Sequence, residues 1–240
     1  KNKDYEGVFP LKGKLLNVRG ETIKVANNTE ISALKQIIGL QEFKQGTNKP
    51  KEYDSLKELR YGKIRLCMDQ DVDGSHIVGL FINMLHSMWP SLLELPNFVI
   101  KLITPIVKVS KKKGKQELSF YTLPDYEKWK TTVNQNEWNA KYYKGLGTST
   151  SKEAKEYFRD LNTHLYNISY TDDDSDKLDM AFNKKRASDR RDWLTNINED
   201  AGKVDPKTIT EFVDNELILF SEADNARSLP SICDGFKESQ

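Results

Sequence analysis

The run KIRLCMDQDVDGSHIVGLFINMLHSMW, residues 63 to 89, restricts the fold more than any other stretch of the chain. KIRLCM is a compact strand candidate, with Ile64, Leu66 and Met68 alternating onto one side. From His76 onward, Ile77, Leu80, Phe81, Met84, Leu85 and Met88 recur at helical spacing, and Pro90 marks a stop. Ser75 is a candidate cap for that helix. Strand, acidic turn and helix together predict an α/β unit. Its carboxylates then sit at the C-terminal end of a strand, where ligands bind in open α/β sheets.

The turn holds Asp69, Asp71 and Asp73 at alternate positions. Three carboxylates this close repel one another unless a cation or hydrogen bonds compensate. Hard oxygen donors select Mg²⁺, Mn²⁺ or Ca²⁺ over zinc. A calcium loop of the EF-hand type begins in the same way, but its twelfth position here is Leu80 in place of the bidentate Glu, and a strand precedes it in place of a helix. A merely solvated acidic turn is the plain alternative. Magnesium that keeps part of its water shell is most often used on phosphate oxygens, and this directs attention to phosphoryl chemistry. His76 follows as a donor to phosphate, or as a helix-start hydrogen bond with no chemical role.

Elsewhere the pattern is mixed. TEISALKQIIGL places Ile31, Leu34, Ile37 and Ile38 on one helical face, with Gly39 as its stop. LLNV, 15 to 18, reads as a short strand or a buried extended run, and VIKLITPIVKVS as a strand broken near Pro105. KKKGK, 111 to 115, makes a turn between that strand and ELSFYTL. SKEAKEYFRDL and ITEFVDNELILF read as helices, separated by a charged region from 171 to 200. The 240 residues carry 37 basic and 36 acidic side chains, so composition predicts no nucleic-acid partner, although a local basic surface is allowed. Cys67 and Cys233 are too few for a disulfide framework and favour a reducing compartment. No apolar run reaches membrane-spanning length.

Five motifs in order carry a resemblance: GVFPLKGKLLNVR, LRYGKI, DQDVDGSHI, TPIVKV and YYKGLGTSTSKEAKEYF, followed by NELILFSEADNARSLPSICDGFKESQ. Together they resemble eukaryotic-type DNA topoisomerase II, of type IIA, over essentially the whole chain. The resemblance implies an α/β TOPRIM domain with a central, mostly parallel sheet over residues 1–170, lacking its N-terminal glutamate motif. A charged helical linker over 171–210 and the start of a winged-helix region over 211–240 would follow. It also implies a homodimeric, ATP-dependent parent that passes one double-stranded DNA segment through a transient break in another, with tyrosines attacking the scissile phosphates.

Carried over by motif, Asp69 and Asp71 would ligate Mg²⁺, for which Mn²⁺ or Ca²⁺ can substitute in binding, and Asp73 would support them. Lys14, His76, Lys144, Gly145 and Gly147 would contact or position DNA. The family's E-G-D-S-A glutamate, its nucleophilic tyrosine and its ATPase domain have no counterpart in this sequence, so the 240 residues alone are expected to be inactive. Lys12 stands where many relatives carry Arg, which keeps the charge and loses the bidentate fork. A non-catalytic TOPRIM scaffold that binds DNA, and another TOPRIM enzyme such as a primase or nuclease, are the competing readings. The expected address is the nucleus, or the cytoplasm if a cytoplasmic DNA virus encodes the protein.

Overall fold

The computed structural model describes residues 4–20, 22–143, 145–159, 164–171, 173–197, 201–202 and 206–234, with the backbone alone at Leu146 and at 229–234. Its axis is the strand–turn–helix unit. Strand β1, Ile64–Cys67, leads through the acidic turn into a helix, Val72–Met88. Two helices precede the strand, so that central helix is α3. They are the short α1, Thr22–Ala26, and α2, Thr29–Ile38. Helix α2 begins where the Asn28 side chain accepts the N–H groups of Glu30 and Ile31, and it ends at Gly39, whose φ of 86° suits glycine.

The side chains of α3 are apolar nearly all round, and Val78, Leu80, Phe81, Ile82, Met84 and Leu85 are buried. A helix of that kind belongs in the centre of a core. Gly79 makes room on one side: a Cβ there would stand 3.0 Å from Phe182 and 3.3 Å from Leu217. After α3 and the short α4, Ser91–Glu94, strand β2, Val99–Leu102, returns parallel to β1 in the register Ile64↔Val99 to Cys67↔Leu102.

The expected break at Pro105 separates two sheets. Strand β2 stays in the first, while β3, Val107–Lys111, opens the second. There β3 pairs antiparallel with both β4, Glu117–Phe120, and β5, Trp138–Tyr142. Helix α5, Leu123–Lys130, covers this sheet, with Tyr126 packed against Val107 and Val109 and the rings of Phe120, Trp129 and Trp138 around them. Helix α6, Ser151–Arg159, then precedes β6, Leu165–Asn167, which adds to the first sheet antiparallel to β2. The parallel part of the first sheet is therefore the β1–β2 pair, the pair that aims the acidic turn.

The C-terminal third closes the core from the far side. Helix α7, Asp174–Phe182, contributes Leu178, Met180 and Phe182. Helix α8, Ala187–Thr195, and α9, Ile209–Phe212, follow, then a π-helical turn, Val213–Leu217, and the long α10, Ile218–Asp234. LLNV takes the second of its two expected forms, an extended run with Leu15 and Val18 buried. Its polar neighbours are satisfied by a network. Arg19 Nε donates to the fully buried Asn83 Oδ1 at 2.7 Å, Asn83 donates to Asn17 Oδ1 at 3.1 Å, and Arg19 also reaches Asp179 and His86 at 2.8 Å each.

Candidate metal and phosphate site

The acidic turn is held by its backbone as much as by its charges. Asp71, not Ser75, caps α3: its Oδ1 accepts the Gly74 N–H at 2.7 Å, and its carbonyl accepts the Ser75 N–H at 3.1 Å. A carboxylate at this position also meets the positive end of the helix dipole. Gln70 donates to the Leu102 carbonyl at 3.2 Å, which ties the turn to the end of β2. A Cβ on Gly74 would lie 2.1 Å from the Asp69 carbonyl oxygen, so only glycine lets the helix start so close to the strand end.

The three aspartates meet different surroundings. Asp73 is paired with Lys14 at 2.7 Å and with Arg227 of α10 at 3.1 Å. Hydrogen bonds from Lys14, then Arg227, hold its carboxyl at about 2. Asp69 is pressed by the loop after β5: a Cβ on Gly145 would stand 2.6 to 2.7 Å from the three atoms of its carboxylate. Around Gly147 nothing lies within 4 Å of the same construction, so the two glycines differ in purpose. Lys144 lies outside the described residues.

Lys14 and His76 meet over one ring. The Lys14 ammonium stands 4.6 Å from the centroid of Phe220, and the His76 imidazole stacks on that ring at 3.8 Å. Burial, and then the neighbouring Lys14 charge, lower the His76 pKa to about 4, so the ring is neutral near pH 7. Its Nδ1 is buried without a hydrogen-bond partner among the described residues. A cavity of about 440 Å³ opens beside them, lined by Lys14, His76, Phe182, Trp193, Phe220 and Asp224.

Among the described residues no three His, Cys, Asp or Glu side chains converge to hold a metal ion. Asp73 is countered by Lys14 and Arg227, and Asp69 and Asp71 stand with it on the same turn just after β1. Two carboxylates on one rigid turn fit a hard divalent cation that keeps several waters and completes its shell from phosphate.

Comparisons with known proteins identify the family and the fold that carry this turn. The Toprim domain model matches residues 2–103, and the model for the C-terminal associated domain of TOPRIM matches residues 102–225. DNA topoisomerase 2-alpha of Mus musculus is 48% identical over 256 residues, covering 99% of this chain and 16% of the relative. DNA topoisomerase 2 of Arabidopsis thaliana is 47% identical over 244 residues, with the same coverage of 99% and 16%. The crystal structure of the DNA-binding, cleavage and re-ligation domain of Plasmodium falciparum topoisomerase II superposes with a TM-score of 0.82 at 46% identity. It covers 90% of this chain and 29% of that one.

The chain belongs to the TOPRIM region of eukaryotic-type DNA topoisomerase II. It spans about a sixth of the length of the curated relatives it matches, 16% in each of these two cases.

In this TOPRIM region several site-bearing residues carry no local signal in the sequence. Arg227 reaches Asp73 across 154 positions. Glu216, in the π-turn, accepts from Ser75 Oγ at 2.7 Å and from the buried Lys101 Nζ at 2.6 Å. The KGLGTS loop is anchored by Glu153, which takes hydrogen bonds from Tyr143, from Lys141 at 2.9 Å and from the Thr150 N–H at 2.7 Å. Burial pushes the Glu153 carboxyl up, and these donors outweigh it and bring it to about 2.

The charge clusters are partly used internally. Arg186 pairs with Asp176 and Asp189, and Arg190 donates to the carbonyls of Met180 and Asn183. At the hairpin tip Lys112, Lys113 and Lys115 are exposed, while Lys111 lies near Glu137 and over Trp138. No helix among the described residues is long and apolar enough to cross a membrane.

Proposed function

We propose that this chain supplies the metal-binding carboxylates of an ATP-dependent type II DNA topoisomerase. That parent acts as a homodimer on double-stranded DNA in the nucleus. The observation that carries the reading is the turn itself: Asp69, Asp71 and Asp73 stand together just after β1, capped onto the start of α3 and flanked by Lys14 and Arg227.

Asp69 and Asp71 would hold Mg²⁺, with Mn²⁺ as a substitute. When bound, such an ion neutralises phosphate charge and stabilises the oxygen that departs from phosphorus. Gly145 leaves the space that the carboxylate of Asp69 occupies, and the Asp71 cap ties the second donor to the start of the helix. Lys14, held over Phe220 and against Asp73, is placed to offset the charge of a DNA phosphate near the turn. His76 acts by position. Its neutral ring stacks on Phe220, over which Lys14 also stands, and adds no charge of its own near pH 7.

The test uses the intact parent enzyme with Asp69→Asn and Asp71→Asn. Cleavage and relaxation of plasmid DNA are expected to fall by ~10²-fold or more, since misplaced or missing ligands in a pre-organised site cost rates of that order. Unchanged cleavage and religation in both variants would overturn the proposal. A wild-type parent that binds DNA and never cuts it at any Mg²⁺ concentration would favour the scaffold reading.

A further inference from the structure

The acidic turn has a third support, from a residue far from it in sequence. Ser75 is the residue after Gly74, and its hydroxyl donates to Glu216 at 2.7 Å. The same carboxylate oxygen accepts from Lys101 Nζ at 2.6 Å. Lys101 lies on β2, one residue before Leu102, whose carbonyl holds Gln70 of the turn. Both Ser75 and Lys101 are buried, so their polar atoms need partners inside the protein. Glu216 therefore meets two demands with one oxygen.

Its placement is unusual. Glu216 lies in the π-helical turn Val213–Leu217, directly before α10. Such turns are rare and often mark functional positions, because the extra residue re-aims a side chain that a regular helix would point elsewhere. The contact also crosses between the two matched family segments, with Ser75 and Lys101 in the first and Glu216 in the second.

We infer that Glu216 is a positioning residue for the metal-binding turn, setting the start of α3 against β2 through Ser75. A buried ion pair seldom stabilises more than apolar groups of the same shape, so its retention here is better explained by the geometry it fixes. Without the Glu216 oxygen, the Ser75 hydroxyl loses its anchor. The Gly74 and Ser75 amides that close onto Asp71 then open more often. The donors Asp69 and Asp71 spread as a result. Outer contacts of this kind change metal affinity by about 10- to 100-fold in other sites.

The inference rests on the proposed metal role of Asp69 and Asp71, and two paired variants separate the two. Lys101→Met with Glu216→Leu removes both the ion pair and the acceptor. Lys101→Met with Glu216→Gln removes the ion pair and keeps an acceptor for Ser75. Mn²⁺ titration followed by water-proton relaxation is expected to show the first weaker than wild type by about 10-fold, and the second restored to near wild type. Hydrogen exchange without metal should show faster Gly74 and Ser75 amides in the first alone. Ser75→Ala, which leaves Lys101 and Glu216 paired, should repeat both effects if the Leu variant fails to fold.

Equal Mn²⁺ affinity and equal amide exchange in the two double variants would overturn the inference. Asp69→Asn is the control for the underlying reading. If it leaves Mn²⁺ binding unchanged, the metal role fails, and the exchange rates alone decide the positioning role.

Discussion

Replacing Gly145 by alanine should damage the metal site with little harm to the fold. The outcome there depends on the space beside Gly145. The new Cβ would stand 2.6 Å from Asp69 Cγ and 2.6 and 2.7 Å from its two oxygens, against the 3.4 Å where ordinary contact begins. The carboxylate must therefore withdraw by about 0.8 Å, or the loop must lift by as much. Magnesium accepts ligands within a narrow range near 2.0–2.1 Å, and sites about 1 Å out of place lose roughly 10²-fold in function. Mn²⁺ affinity should thus fall by ~10-fold or more. Overpacking of a side chain at the surface of the loop should cost about 1 kcal/mol, the low end of the usual range.

Gly147→Ala is the matched control. It lies two residues away in a 3₁₀ turn, with nothing within 4 Å of its Cβ. Loss of unfolded-state freedom should leave that variant unchanged or stabilised by about 0.4–1 kcal/mol. Mn²⁺ titration and urea unfolding of both variants, in parallel, check the pair. A folded Gly145→Ala chain that binds Mn²⁺ as tightly as Gly147→Ala would refute the placement of this loop against Asp69.

Acid should weaken the fold through His76. Its pKa falls from 6.5 to about 4 on folding, so the unfolded chain takes up the proton first and stability declines as pH drops from 6.5 through 4. The shift corresponds to about 3 kcal/mol, reduced to roughly 2 kcal/mol by solvent at the exposed edge of the ring. Urea midpoints at pH 7.5 and 4 should converge more closely in His76→Phe than in wild type, and equal slopes with pH would count against it. His86, lowered by its own burial and by Arg19, adds in the same direction in both proteins. The contribution of Asp73 is present above 3.8 and is lost only as pH falls through about 2, so Asp73→Asn should flatten the curve below the histidine window. Asn83→Leu should destabilise by about 2–4 kcal/mol in chemical unfolding, because Arg19 Nε and Asn17 Oδ1 lose their buried partner.

The β1–α3 unit was legible because two periods, alternate and helical, meet at one charged turn. The cap was not. Asp69, Asp71, Asp73 and Ser75 all have cap chemistry, and the choice of Asp71 depends on how closely Gly74 approaches the strand end. The division into two sheets at Pro105 also escaped the pattern, since VIKL and VKVSK alternate alike and differ only in which strands pair with them. Lys14 was singled out by the resemblance alone, and its partners, Asp73 of α3 and Phe220 of α10, come from two elements brought together by packing. The same holds for KKRASDRR. Within this run of the charged region from 171 to 200, Arg186 and Arg190 find partners inside the chain that no local pattern announces.

The turn offsets part of its own repulsion from within the chain. Two cations answer Asp73, one of which, Arg227, also acts on Asp71, a helix start answers part of Asp71, and Gly145 leaves room for the carboxylate of Asp69. Self-repulsion then needs no bound ion for the fold to form, as the proposed loading and release of metal would require. On the proposed metal role, affinity would then be set by position more than by total charge. Substitutions that move Asp69, at Gly145 or through Ser75 and Glu216, should therefore weaken Mn²⁺ binding more than removal of the third carboxylate, Asp73, which is nearest to Lys14 and Arg227 and already neutralised. If Asp73→Asn proved the most damaging of the set in the same titration, charge would outrank position and the division of roles among the three acids would have to be redrawn.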